Sequence, residues 1–200
     1  MKPHAERNFL IHPQEIIIYL LLAGVTSLFF GFSISYLYNR IQAGIAPVDL
    51  PPLFYLNSFL LIGSSFSLIR AKRSYLDDET EQYQLMLIVT FMLTSLFLVM
   101  QIMAWKQLLD NNISLTHSNL ASYMYVISAL HFAHVIGGLP FLAYFIWQSK
   151  KFMKEPVTVL IYFSDPDKKR RLKLLTIYWH LLDALWIYLV VFFLLNFLIQ

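Results

Sequence analysis

Five long apolar runs, separated by shorter polar segments, organise this chain. They cover approximately residues 16–38, 53–69, 83–105, 120–147 and 174–199. A helix needs ~20 apolar residues to cross the hydrocarbon core of a bilayer, and each run meets or approaches that length. The pattern predicts an all-α membrane protein, one transmembrane domain over residues 1–200 built as a bundle of five spanning helices. Proline marks the boundaries. Pro13 stands just before the first run, and Pro47, Pro51 and Pro52 break the chain between the first and second.

Small residues recur inside the runs. Ala23, Ser27, Gly31 and Ser35 lie four apart in the first, as do Ala129, Ala133 and Gly137 in the fourth. This spacing aligns them on one helix face, where another helix can approach closely. In the second run Gly63, Ser64, Ser65 and Ser67 are the close-packing positions. Between the runs, residues 70–82 are highly charged and expected as a water-exposed loop, with Asp77, Asp78, Glu79 and Glu81 most simply solvated there. Residues 148–173 are basic and hydrophilic and are expected as the longest loop.

Charge turns this series into a topology. Thirteen of the fifteen Lys and Arg fall before the first run, after the second or after the fourth; only Arg40 and Lys106 lie on the other side. By the positive-inside rule the N-terminus is expected in the cytoplasm and the C-terminus outside. The first run is too long for a signal-peptide core and lacks an A-x-A-like cleavage site after it, so it reads as a retained span.

Composition narrows the chemistry. The chain is 58% hydrophobic and only 14% charged, with mean hydropathy +0.59, whereas soluble domains carry roughly 25% charged residues. Seventeen Phe, twelve Tyr and four Trp suit lipid and its interfaces; Trp105 and Trp147, at run ends, read as interface anchors. With no Cys, disulfides, thiolate zinc sites, iron–sulfur clusters and cysteine nucleophiles are excluded for this chain. No basic face on a polar domain points to nucleic acid, and no HExxH motif points to metal-assisted hydrolysis.

Four polar residues stand deep in the runs: His131 and His134 in the fourth, His180 and Asp183 in the fifth. Each pair has i,i+3 spacing and shares a helix face. A charged Asp at the membrane centre costs ~2.5–3.5 kcal/mol on insertion scales, so it calls for compensation. At 1.5 Å per residue, Asp183 lies about 14 Å from the start of its run and His134 about 20 Å from the end of its own, which permits their approach. Three readings stay open: an interhelical polar clasp that fixes register, ligation of a haem by facing histidines, and a proton relay or support for one in a partner. Trp179 and Trp186 flank the polar pair, placed to stack on lipid or on a partner.

The segment Tyr178 to Trp186, YWHLLDALW, closely resembles the YWHFVD-x-VW segment in the last helix of cytochrome c oxidase subunit III. His131 to Gly138, HFAHVIGG, is similar to that family's HGLHVxxG helix. Leu28-Phe29-Phe30, Leu56-Asn57-Ser58 and Gln101 resemble its LFF, LNT and LQ segments, in the family's order. The likeness runs over nearly the whole chain. Three positions depart: Thr26 stands where many members have a membrane Glu, Ala71 and Lys72 where members often have a His pair, and Ala104 where Glu is frequent.

The resemblance implies the five-helix core of the family, without the two additional N-terminal helices of its seven-helix members. It implies an accessory subunit of a haem–copper terminal oxidase in a bacterial cytoplasmic membrane, with no catalytic, cofactor or metal site of its own. Haem and copper would belong to the catalytic subunit I, which with subunit II and structural phospholipids makes up the expected partners. On this reading His131, His134, Trp179, His180, Asp183 and Trp186 are structural or lipid-contact residues. The alternatives are an accessory protein of nitric oxide reductase, of the same fold family, and a stand-alone membrane b-type cytochrome.

Overall fold

The computed structural model describes residues 13–44, 47–153 and 155–199; Lys2, Arg7 and Lys154, which enter the orientation argument, lie outside the described residues. Six helices follow in order: α1 (Pro13–Ala43), α2 (Pro52–Leu76), α3 (Thr80–Asp110), α4 (Asn119–Phe152), α5 (Pro156–Ser164) and α6 (Pro166–Leu198). Five of them, all but α5, are long and apolar enough to cross a membrane. No strand occurs among the described residues.

The helix ends follow from local chemistry. Proline occupies the first helical position of α2, α5 and α6, where its missing N–H has no intrahelical role. Ser118 caps α4 by accepting from the Ala121 N–H at 3.1 Å, and Asp165 caps α6 by accepting from the Asp167 N–H at 2.9 Å. Gly44 closes α1 with φ +59°, the left-handed conformation that glycine adopts without a Cβ penalty.

Two expected loops contain much more helix than the charge pattern indicated. Only residues 77–79 separate α2 from α3, because residues 70–76 bury Ala71, Ser74 and Tyr75 and continue the helix. The charged side chains ride on the exposed side of that extension. Between α4 and α6 the apolar stretch PVTVLIYFS forms α5. Its inner face is Tyr162 and Phe163, and Tyr75 Oη donates to the Tyr162 carbonyl at 3.1 Å. Burial pushes the Tyr162 phenol up to about 12, so this anchor stays neutral at physiological pH.

α2 and α3 form the most extensive helix pair. α6 touches α1, α2 and α4, and it buries the largest share of its length of the five spans, α1 the smallest. α1 leans on α4 and α6 through Leu22, Phe29, Ser33 and Tyr36. Arg40 ties its far end to α6: Nη1 donates to Asn196 Oδ1 at 2.8 Å, and Nη2 donates to the Ile199 carbonyl. The small residues Ala23, Ser27 and Gly31 face outward, with Ser35 half-buried. Ala129, Ala133 and Gly137 are likewise exposed on α4. The close approach on α4 is made instead by Gly138, where a Cβ would stand 2.9 Å from Tyr178 Cε1 and 3.1 Å from Trp179 Cζ3.

Candidate functional site

YWHLLDALW lies on the most buried helix, and its side chains reach α2, α3 and α4. Tyr178 Oη donates to the His134 carbonyl of α4 at 2.9 Å. Trp179 Nε1 donates to Ser64 Oγ of α2 at 3.1 Å, and His180 Nδ1 is hydrogen-bonded to Ser65 Oγ at 2.7 Å. Ser65 also adjoins the Asp183 carboxyl, whose Oδ2 is buried without a partner. Trp186 stacks on Phe54 at 5.4 Å between centroids and meets Phe97 edge-on at 5.0 Å. Both tryptophans, 1% and 0% exposed, are therefore core of this chain, not lipid or partner contacts.

The histidines occupy separate surroundings. His131 is fully buried in an aromatic cage of Trp186, Phe97 and Phe29, with ring centroids 5.0, 5.8 and 6.3 Å away. Its two nitrogens have no partner. His134 Nδ1 donates to the carbonyl of Leu130 in its own helix at 2.6 Å. His180 faces α2. Among the described residues no hydrogen bond joins Asp183 to His131, His134 or His180; His134 bonds within its own helix and His180 bonds the serine of α2. No three His, Asp or Glu side chains converge as metal ligands among the described residues.

Polar pairs the charge pattern did not single out hold α2 to α3. Asn57 Nδ2 donates to Gln101 Oε1 at 2.8 Å, Ser64 and Thr94 share a hydrogen bond of 3.1 Å, and Ser67 and Thr90 one of 2.7 Å. Asn57 and Ser64 are seven residues apart, and so are Thr94 and Gln101. That matched spacing is the signal by which sequence could reveal the pairing. Thr26, at the position of the missing acid, returns its hydroxyl to the Leu22 carbonyl at 2.8 Å.

Beside this core a cleft of about 970 Å³ opens between α1, α4 and α6. Ile17, Ile18 and Leu21 form one wall, and Ala133, Gly137 and Phe141 of α4 form another. The lining is almost wholly apolar; Arg171, His134, Tyr144 and Tyr178 supply its polar groups. Lys173 and Glu15, 3.8 Å apart, bridge α6 and α1 at the Arg171 end. The outward-facing small residues of α4 are thus what leaves the cleft open. The lining is apolar along the helices, with one guanidinium at the end where Lys173 and Glu15 meet.

The profile of the family described as cytochrome c oxidase subunit III matches residues 25–196. The chain is 29% identical over 137 residues to a cytochrome bo(3) ubiquinol oxidase subunit 3 of Buchnera aphidicola, covering 68% of this chain and 66% of that protein. It is 26% identical over 180 residues to a cytochrome c oxidase subunit 3 of Synechocystis, covering 85% and 70%. A cytochrome c oxidase subunit 3 of a Bacillus species is 23% identical over 175 residues, covering 86% and 80%.

Proposed function

Since the chain belongs to the cytochrome c oxidase subunit III family, we propose that it is the accessory, non-redox subunit of a haem–copper terminal oxidase, the membrane complex that reduces oxygen to water and moves protons. The observation that carries this reading is the family match over residues 25–196, nearly the whole five-helix bundle. The chain packs beside subunit I and subunit II in the bacterial cytoplasmic membrane, its N-terminus inside and its C-terminus outside, as the distribution of Lys and Arg favours. The electron donor is set by those partners; a quinol oxidase and cytochrome c oxidases both stand among the relatives.

In this role the polar residues are structural. His180 clasps α6 to Ser65 of α2, and His131 fills the aromatic cage that Trp186 closes. The stripe of Ala23, Ser27 and Gly31, continued by the half-buried Ser35, offers α1 to a helix of a partner subunit. The cleft holds a structural phospholipid, its tail along Leu21 and Gly137 and its phosphate at Arg171. A haem fits this chain poorly. His131 has aromatic rings packed on it, His180 is engaged by Ser65, and among the described residues His134 is the one histidine that lines the cleft.

Two measurements test the proposal. A pyridine haemochrome assay on the chain purified alone is expected to give no stoichiometric haem b; one haem per chain would replace this reading with a b-type cytochrome. Affinity purification of the chain from mild detergent is expected to bring down a subunit with the spectrum of a haem–copper centre.

A further inference from the structure

The nine-residue helix α5 presents two unlike faces. Tyr162 and Phe163 point inward, where Phe163 meets Tyr75 at 5.1 Å and Tyr83 at 6.3 Å between ring centroids. These contacts hold the opposite face outward. That face carries Val157, Leu160 and Ile161, at i, i+3 and i+4, and they are 67%, 65% and 62% exposed. Nothing among the described residues of this chain covers them. A contiguous apolar triad in a segment between two spans needs an occupant, because leaving it in water forgoes its transfer energy.

The surroundings identify the occupant. Residues 148–173 hold eight Lys and Arg against three acids, a net charge of +5 placed on both sides of α5. Just before α5, Lys151 Nζ sits 4.8 Å above the exposed Trp147 ring and 5.5 Å from Phe152. An indole with a lysine folded over it, at the end of a spanning helix, marks the level of the lipid headgroups. α5 begins four residues beyond Phe152, close to that level. An apolar face at headgroup depth with cations around it is the arrangement of a helix lying in a membrane interface.

We propose that α5 is an interfacial helix that inserts Val157, Leu160 and Ile161 into the adjoining leaflet and gathers anionic phospholipid around its basic flanks. This lipid contact is separate from the cleft between α1, α4 and α6. The face lies on a different element, and it binds a leaflet surface, not a single molecule.

The chain contains no cysteine, so L160C can carry an environment-sensitive fluorophore in the intact oxidase complex, with the unsubstituted complex as the labelling blank. H117C, on an exposed residue of the α3–α4 loop, gives a water-facing reference. The complex is placed in nanodiscs of zwitterionic lipid containing an equal, minor fraction of brominated phosphatidylglycerol or brominated phosphatidylcholine. At position 160 lipid bromine should quench strongly and aqueous iodide weakly, the reverse of position 117. Brominated phosphatidylglycerol should quench about twofold more than brominated phosphatidylcholine. Changing Lys150, Lys151 and Lys169 to Gln together should bring that ratio to about one while leaving the depth unchanged. Strong iodide quenching at position 160 would overturn the proposal by placing the face in water. Shielding from both quenchers would overturn it by showing that another subunit covers the face. Equal quenching by the two brominated lipids in the unsubstituted basic background would remove the anionic preference.

Discussion

Gly137 and Gly138 are adjacent in α4, yet a Cβ at Gly137 meets nothing within 4 Å while one at Gly138 would be 2.9 Å from the Tyr178 ring. Tyr178 cannot easily retreat, because its hydroxyl is bonded to the His134 carbonyl. Gly138→Ala should therefore destabilise the fold by about 1–3 kcal/mol through overpacking. Gly137→Ala should be neutral or stabilise by a few tenths through helix propensity. Thermal unfolding in detergent, followed by near-UV circular dichroism, separates the two. Asp183 belongs to the same scale. Asn conserves its shape beside Ser65, so Asp183→Asn should leave the haem spectra of the complex unchanged and shorten its turnover lifetime; loss of haem would contradict the structural role. Sequence singled out His131, His134, His180 and Asp183 because polar groups in apolar runs stand out. It could not assign their neighbours, since helix rotation decides whether a histidine faces a serine, a cleft or an aromatic cage.

At the level of elements, the α2–α3 pair rests on buried polar contacts as much as on apolar ones. Asn57 and Gln101 are both fully buried, and each is the other's hydrogen-bond partner. Truncating either to Ala leaves a buried amide unmatched and should cost about 1–3 kcal/mol. The double variant should cost less than the sum, with a coupling of about 0.6 kcal/mol, the average for such bonds between membrane helices, and no more than about 1.7 kcal/mol. A double-mutant cycle by unfolding in mixed micelles measures it. Strict additivity would mean that the two amides act independently. The spanning helices were legible because length and apolarity leave little choice of structure in lipid. α5 was not, because its apolar residues are few and lie within a basic segment whose charge dominates any average. The turn at residues 77–79 was overestimated for a related reason: charged residues can extend a helix past the bilayer as readily as end it.

For the whole molecule, α1 leans on α4 and α6 without closing the space between the three helices, and small side chains on α4 leave that cleft open. Gly137→Leu should fill the cleft without disturbing the core, since that position points away from it. Phosphorus assay of the purified complex should then show less retained phospholipid, while the unfolding midpoint stays near that of the parent. The apolar runs carry the fold, and the motifs that carry the family most specifically sit on α4 and α6, where packing constrains residue type. The cleft had no such signature, because a space between three helices is a property of their tilt and not of any one run.

The attachment of α1 bears on how the protein is made. α1 rests on α4 and α6, and Arg40 reaches Asn196 and the Ile199 carbonyl near the chain's end. α1 leaves the ribosome before α4 and α6 and therefore waits for its partners. While α2 and α3 emerge and pair with each other, α1 stays in the bilayer as a lone span, a state it tolerates because its backbone hydrogen bonds are internal. Translation that stops before Asn196 leaves α1 without its latch. The bundle closes only once α6 has been made, and any factor that holds nascent membrane segments apart has the greatest need to hold α1.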